Sequence, residues 1–337
     1  MRLTRNYEYV YGLIKARMGN RLKQHEYEAI LGCKEPIDLS RVLNKTVYGE
    51  SLARFKINTF EDIIENITSS ATNYIKNLIS SIPKSDVELL VEYQKILESR
   101  SLVNFFKSEL RTDDVIAVMS VIPFGSFPLD YYDLKVSSKE KYNFPEFTQI
   151  IEHSIFLSKK HNSEAPLLQI ILFFCEMLSN KIPKSNSAKW RSLSKLVTCI
   201  YEATAIELKI LSAQSRITPE ITEKWFPLKS VVKETHFNMF TSEKNVEQMI
   251  SLLKNTRYGS CLEKKSHSNV DYFLKKFPYC VMDKEAHSIL AGYPFLPSTV
   301  AAGMMLVLVE VRNIKLAIAA ITGKLGKLEA LQLMTIS

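Results

Sequence analysis

A chain of 337 residues exceeds what a single hydrophobic core usually serves, so two or three domains or a set of stacked units are expected. Apolar residues make up 46% and charged residues 24%, which excludes disorder over most of the length. Only 10 glycines are present, which disfavours Rossmann and P-loop folds, and the net charge of +8 comes from scattered basic residues that form no nucleic-acid-binding stripe.

Apolar residues recur at helical spacing over most of the chain. Thr59 is placed to cap the helix that begins at Phe60, and Ser85 and Glu88 have the spacing of a capping box for the next helix. No stretch shows the sustained alternation of a strand, so the pattern predicts an all-α fold. In chain order, the other predicted helices cover residues 9–31, 167–178, 190–211, 246–253 and 297–321.

Three features bear on location. Charged residues interrupt every apolar stretch of the first 20 residues, so no signal peptide is expected there. The apolar run 300–309 is far shorter than the ~20 residues needed to cross a bilayer, and Glu310 follows it at once, which predicts a buried helix. The five cysteines are far apart, with no C-x-x-C pair. They predict buried free thiols in a reducing, cytoplasmic compartment.

A ten-residue pattern, L-x-x-T-x-Y-G-x-x-L, occurs twice at a spacing of 210 residues. Its shared positions are Leu43, Thr46, Tyr48 and Gly49 in the first copy and Leu253, Thr256, Tyr258 and Gly259 in the second. Asn104 and Asn313 lie in similar surroundings 209 residues apart. Two markers at nearly one spacing predict a structural repeat. In each copy we expect threonine to cap a helix, tyrosine to bury its ring and glycine to supply a left-handed turn.

Half of that spacing, about 105 residues, predicts a middle copy, and residues 151–156 give a degenerate match. We therefore expect three similar helical-bundle units related by a pseudo-threefold repeat. Their ranges are 1–105, 106–212 and 213–337, the last with a C-terminal extension.

The constellations that enzymes require are missing from the sequence. It contains no nucleotide-binding glycine loop, no H-E-x-x-H and no G-x-S-x-G. The pair Asp113 and Asp114 is interpreted as the first turn of a helix, and residues 322–327 as a helix end that carries lysines. The six histidines are isolated. We predict no catalytic residue, no metal site and no cofactor.

Several segments together resemble one known family. They are residues 7–17 (YEYVYGLIKAR), 122–125 (IPFG), 292–300 (GYPFLPSTV), 310–315 (EVRNIK) and 321–325 (ITGKL). In order and spacing they are similar to the C/d family of central-axis subunits of archaeal and vacuolar-type rotary ATPases. The resemblance spans essentially the whole chain. It departs from the family at Leu13, at Glu207 in the middle asparagine position, and at 307–308, where Val-Leu replaces a Lys-Glu pair.

The resemblance implies a role without chemistry. Family members form a funnel of three helical units that sits on the cytoplasmic face of the proteolipid ring and receives the foot of the central stalk. It implies partners among the D/F-type stalk subunits, the proteolipid c-ring and the stator membrane subunit, but no nucleic acid and no transmembrane segment. The protein would then serve an A-type ATP synthase or V-type ATPase in ATP synthesis and proton or sodium transport, peripherally associated with the membrane.

Five polar residues stand out as packing or interface candidates: Asn104, Glu310, Arg312, Asn313 and Lys315. Because residues three or four apart share one helix face, we expect the last four to fix the packing of units rather than to contact a partner.

Two other interpretations remain open. The first is a helical-repeat interaction scaffold unrelated to rotary ATPases, although such scaffolds stack repeats of roughly 20–45 residues. The second is an all-helical enzyme, which a charged cluster in a pocket would favour.

Overall fold

A computed structural model describes residues 2–111, 114–127, 145–183, 187–215, 245–262 and 270–336. Within these ranges the chain is helical and contains no strand, so the predicted all-α fold is confirmed. The α-helices are α1 Arg2–Gly19, α2 Gln24–Gly32, α3 Pro36–Leu43, α4 Gly49–Ala53, α5 Phe60–Ser80, α6 Lys84–Leu110, α7 Val115–Met119, α8 Pro145–His161, α9 Gln169–Lys181, α10 Ala188–Gln214, α11 Val246–Leu253, α12 Val270–Leu290, α13 Pro297–Ile321 and α14 Lys327–Leu333. Short 3₁₀ turns occupy Ala165–Leu168 and Gly259–Cys261.

The predicted helix boundaries hold in some places and fail in others. The helices predicted at 246–253 and 297–321 match α11 and α13, and Thr59 caps α5 by accepting a hydrogen bond from the Asp62 N–H at 3.1 Å. The single helix predicted over 9–31 is wrong. It divides into α1 and α2 because the N–H of Leu22 is directed to the Glu310 carboxylate, at 3.2 Å.

The capping box predicted at Ser85 and Glu88 is also wrong. Helix α6 begins one residue earlier, at Lys84, and Pro83 occupies its N-cap position. The Ser85 hydroxyl donates to the Asp86 carboxylate at 3.1 Å instead of capping the helix. Asp114 accepts from the Ala117 N–H at the start of α7, as the helix-start interpretation requires, while Asp113 lies outside the described residues.

Helix α13 is the most deeply buried element, since every residue from Pro297 to Ala320 is buried. Helices α1, α2, α5, α6, α7, α10, α12 and α14 all pack against it. The run 300–309 therefore lies in the protein core, as predicted. In the part of the chain that the structure describes, no helix combines the length and apolarity needed to span a membrane.

Six helices pack in a closed cycle. Helix α9 packs against α6 and α10, α12 packs against α10 and α13, and α5 packs against α13 and α6, while α13 also packs directly against α6 and α10. The members α6, α10 and α13 are the three longest helices, with 27, 27 and 25 residues. Each bridging helix thus joins two long helices that are far apart in sequence.

The two copies of the ten-residue pattern have the same local structure. The Thr46 hydroxyl donates to the Leu43 carbonyl at 2.6 Å and accepts from the Tyr48 N–H at 3.3 Å. In the second copy, Thr256 makes the same two bonds, to the Leu253 carbonyl and from the Tyr258 N–H, at 2.7 and 3.2 Å. Each threonine hydroxyl therefore bonds the carbonyl of the last residue of the preceding helix and organises the turn that follows it.

The glycines have a different role from the one predicted. Among the described glycines only Gly125 and Gly323 have positive φ, so the left-handed turn expected at Gly49 and Gly259 is wrong. Instead, a Cβ at Gly49 would lie 2.2 Å from the Asn44 carbonyl oxygen, and one at Gly259 would lie 2.2 Å from the Lys254 carbonyl oxygen. The pattern needs glycine because the backbone approaches itself too closely for any side chain.

The degenerate middle copy does not share this turn. Residues 151–156 lie within the continuous helix α8, and the sequence there has no glycine that would allow the close approach. This part of the repeat prediction is wrong.

The close approach predicts the effect of adding a methyl group. Gly49→Ala should lower the free energy of unfolding by about 1–3 kcal/mol because the backbone must shift. Gly12→Ala is the matched control, since a Cβ at Gly12 in α1 meets nothing within 4 Å. It should raise the free energy of unfolding by about 0.5–1 kcal/mol through helix propensity. Chemical denaturation measures both, and equal effects would contradict the steric explanation.

Candidate functional site: buried charges around a cleft between the long helices

Each of the three long helices carries a buried glutamate that accepts hydrogen bonds from a segment far away in the sequence. The residues are Glu98 on α6, Glu202 on α10 and Glu310 on α13. A buried carboxylate is costly unless donors surround it, so each glutamate fixes the segment that supplies its donors. We refer to these three as the junction glutamates.

Glu310 joins α13 to the beginning of the chain. Its carboxylate accepts from the Tyr48 hydroxyl at 2.8 Å and from the Arg17 guanidinium at 3.1 Å. The guanidinium also lies over the rings of Tyr48 and Tyr74, with centroid distances of 5.2 and 4.6 Å. Burial alone would lower the pKa of Arg17, but Tyr48 and Glu310 raise it. Arg17 therefore stays charged, and its charge is balanced inside the protein.

Glu202 makes a similar junction with the second copy of the pattern. Its carboxylate accepts from the Tyr258 hydroxyl and the Arg257 guanidinium. The same chemical trio of arginine, tyrosine and glutamate thus occurs twice. The arginines come from different places: Arg17 lies on α1, while Arg257 lies beside the motif tyrosine itself. Burial, then Cys199 and then the Glu202 carboxylate raise the pKa of Tyr258, which stays a hydrogen-bond donor.

Glu98 completes the set with backbone donors. It accepts from the Gly125 N–H at 3.3 Å and from the Ser126 N–H at 2.6 Å. Gly125 has a φ of 79°, a conformation that glycine adopts without strain. In each junction the donors come from a different predicted unit than the glutamate. Donors of the first unit bond Glu310 on α13, donors of the third bond Glu202 on α10, and donors of the second bond Glu98 on α6.

Between α6 and α10 lies a second group of buried charges. Glu207 forms ion pairs with Arg100 at 2.8 Å and with Lys107 at 3.3 Å, and Lys107 also lies 3.4 Å from Glu164. Burial raises the pKa of Glu207, but the opposite effect of Arg100 and Lys107 is larger. The pKa is therefore lowered overall, and the carboxylate stays ionised. Burial lowers the pKa of Lys107, but Glu207 and Glu164 raise it by more, so the pKa is raised overall.

This group forms one wall of a cleft that holds about 460 Å³ of unfilled space, part of it open to solvent. Helices α6, α7, α10 and α12 contribute to the cleft. Its lining carries both signs of charge, so it suits a polar protein surface better than an apolar ligand. Polar residues in the lining are Arg100, Asn104, Lys107, Asp114, Ser120, Glu164, Glu207, Asp271, Lys275 and Tyr279.

Asn104 and Asn313 occupy corresponding positions. The Asn104 amide donates to the Ser120 carbonyl at 3.3 Å, holding the segment after the short helix α7. The Asn313 amide donates to the Thr335 carbonyl at 2.7 Å and accepts from the Thr335 N–H at 3.1 Å, holding the segment after the short helix α14. The two asparagines related by the sequence spacing thus anchor equivalent returning segments.

Arg312 and Lys315 are buried cations on α13. Arg312 donates to the Ser120 hydroxyl and to the Leu333 and Lys275 carbonyls, at 3.2, 3.1 and 2.9 Å, and its guanidinium lies 4.0 Å from the Tyr279 ring centroid. Lys315 donates to the Val121 carbonyl. Within the described ranges neither forms an ion pair with a carboxylate. Burial lowers the pKa of Arg312 to about 10 and that of Lys315 to about 8.

The polar residues chosen from the sequence are therefore all buried, and Glu310, Arg312, Asn313 and Lys315 all hold neighbouring segments by hydrogen bonds. Sequence reasoning missed Arg17, Glu98, Arg100 and Glu202. The one feature of the sequence that could have indicated them is a charged residue on the apolar face of a helix. That feature does not show which residue the charge will pair with.

All five cysteines are buried and free of disulfide bonds in the structure, as predicted. Among the described residues, no cluster of three or more histidine, cysteine or acidic side chains has the arrangement of a metal site.

Comparison with known proteins gives no family. No protein-family model matches the chain, and no curated protein matches it significantly.

The Glu310 junction predicts a large stability loss on neutralisation. Glu310→Gln keeps the size of the side chain but leaves Arg17 as an uncompensated buried charge. We expect the free energy of unfolding to fall by about 3–5 kcal/mol, measured by urea denaturation. The control is Glu50→Gln, which removes an exposed ion pair with Arg54 and should change stability by less than about 1 kcal/mol. Equal losses would contradict the junction role.

Lys315 predicts an unusual pH dependence. Its pKa falls from 10.5 to about 8 on folding, so the unfolded chain binds more protons at this residue between these values, and the contribution of Lys315 to stability should rise as pH increases from 8 to 10.5. Lys315→Met should abolish that rise and stabilise the protein at pH 7 by on the order of 1–3 kcal/mol. Urea denaturation at several pH values tests this. In the exposed control Lys34→Met the rise should persist.

Proposed function

We propose that this chain is the central-axis C/d-type subunit of an archaeal or vacuolar-type rotary ATPase, which couples the central stalk to the membrane proteolipid ring and performs no chemistry. One observation carries the proposal beyond the sequence resemblance. Three long helices, joined by three bridging helices, close a cycle in which each long helix holds a buried junction glutamate. This arrangement supports a pseudo-threefold body, which is the organisation expected of that family.

The junctions suit a body that transmits torque. A coupling subunit must not deform between its two docking faces, and closely packed interiors resist deformation. The junction glutamates add directional bonds between segments that are 27 to 293 residues apart in sequence. A twist applied at one helix is therefore opposed by bonds at all three long helices. The three-unit funnel and the ranges 1–105, 106–212 and 213–337 form part of this proposal.

The alternative of an open helical scaffold is less well supported. In such scaffolds each repeat contacts only its neighbours, so the first and last repeats remain apart. Here Arg17 on α1 forms an ion pair with Glu310 on α13. This contact between the two ends of the sequence favours a closed bundle.

We assign the cleft as the docking place for the foot of the D/F-type stalk. Its mixed charges match a polar protein surface, and its rim includes Asp271, whose side chain is 62% exposed. The proteolipid ring and the stator membrane subunit would then contact other faces, on the cytoplasmic side of the membrane.

The test is affinity capture of the complex from membranes with a tagged chain. The wild-type chain should recover proteolipid, stalk and catalytic-head subunits. Asp271→Lys should reduce recovery of stalk and head at least tenfold while keeping the proteolipid, because it reverses a charge at the cleft rim. Asp38→Lys is the matched control, since Asp38 also forms an exposed ion pair within its helix, and it should capture all partners.

Two outcomes would count against these assignments separately. If the folded wild-type chain recovers no rotary-ATPase subunit, the proposed function is wrong. If the wild-type chain recovers the complex and Asp271→Lys recovers the stalk equally well, the function stands and the cleft is not the docking place.

A further inference from the structure

Two cysteine thiols lie against each other just beneath the protein surface. Cys261 ends the 3₁₀ turn Gly259–Cys261, which packs against α12, and Cys280 lies on α12. The two thiols lie close enough for each to shift the pKa of the other, and each residue is 8% exposed. They belong to one small apolar cluster with residues of α10, α11 and α12. Neither takes part in the junctions or the cleft.

Nearby charges favour the thiolate at Cys280. The neighbouring Cys261 thiol lowers the pKa of Cys280, and the ammonium groups of Lys284 and Lys276 lower it further against the effects of burial and of Asp283. Lys284 is held beside the pair because it donates to the Ser260 carbonyl. A thiolate next to lysine is the usual form of a reactive cysteine.

The other cysteines differ in the features that matter for reactivity. Cys175 and Cys199 are fully buried, and burial raises the pKa of both thiols. Burial and Asp38 also raise the pKa of Cys33. Cys199 is the most informative comparison because it belongs to the same apolar cluster as the pair.

We propose that Cys261 and Cys280 form a reversible dithiol–disulfide site that is oxidised by low-molecular-weight disulfides of the glutathione type. The Cys280 thiolate attacks one sulfur of the small disulfide, forms a mixed disulfide and releases one small thiolate. Cys261 then loses its proton and attacks the Cys280 sulfur, which releases the second small thiol. The protein loses two electrons and two protons, and the small disulfide becomes two thiols.

Oxidation would act on one junction of the fold. The turn that ends at Cys261 begins directly after Tyr258, whose hydroxyl bonds Glu202 on α10. A disulfide to Cys280 would tie this turn covalently to α12. The contact between α10, α12 and the second copy of the pattern would then no longer depend on side-chain packing alone.

The test uses the purified full chain, incubated at pH 7.5 with glutathione disulfide and digested with trypsin without reduction. Mass spectrometry should find the peptides 258–264 and 277–284, which contain Cys261 and Cys280, joined by a disulfide. Dithiothreitol should separate them. Cys199→Ser should leave the yield of the linked pair unchanged within about twofold. In Cys261→Ser, glutathione should remain on Cys280, and in Cys280→Ser it should attach to Cys261 at least tenfold more slowly.

Other results would overturn the proposal. One is the absence of the linked peptides while circular dichroism shows that the chain stays folded. Another is formation of the link only in urea, which would show that it does not belong to the native structure. A third is equal linkage of Cys199 to either thiol, since the fully buried cysteine should not react.

Discussion

A carboxylate enclosed by helices cannot remain without donors, and this constraint organises the protein. Glu98, Glu202 and Glu310 each lie on a long helix where water cannot solvate them. The donors that satisfy them come from the chain start, from the second copy of the sequence pattern and from the loop after α7. Apolar packing alone would allow the helices to slide or exchange neighbours, whereas a directional bond to a buried charge selects one partner. Each junction thereby fixes one distant segment of the chain onto one of the three long helices.

Much of the fold follows from local patterns. The period of apolar residues located α11 and α13, and the Thr59 cap was readable because it involves residues three apart. The prediction failed where a distant residue decided the outcome. The break between α1 and α2 depends on Glu310, which takes the Leu22 N–H that would otherwise continue the helix.

The candidate site shows the same limit. Internal similarity related Asn104 to Asn313, and the structure gives them matching roles because each anchors a returning segment. Arg100 could not be matched to Glu207 in advance, because opposite charges on two helices do not reveal which faces meet. Burial also makes a charged side chain costly unless polar groups or packing compensate it. Lys315 and Arg312 are held by carbonyl groups rather than by carboxylates, so their cost must be offset by the packing of the surrounding core.

The contact between Arg17 and Glu310 has a consequence for synthesis of the chain. Its two partners are separated by 293 residues, so the guanidinium leaves the ribosome long before its counter-ion is made. At ~5–20 residues per second, the delay is about 15–60 s. During that time α1 has no site in which to bury its charge. Synthesis of the α13 segment, rather than of α1 itself, therefore determines when Arg17 can be buried against its partner.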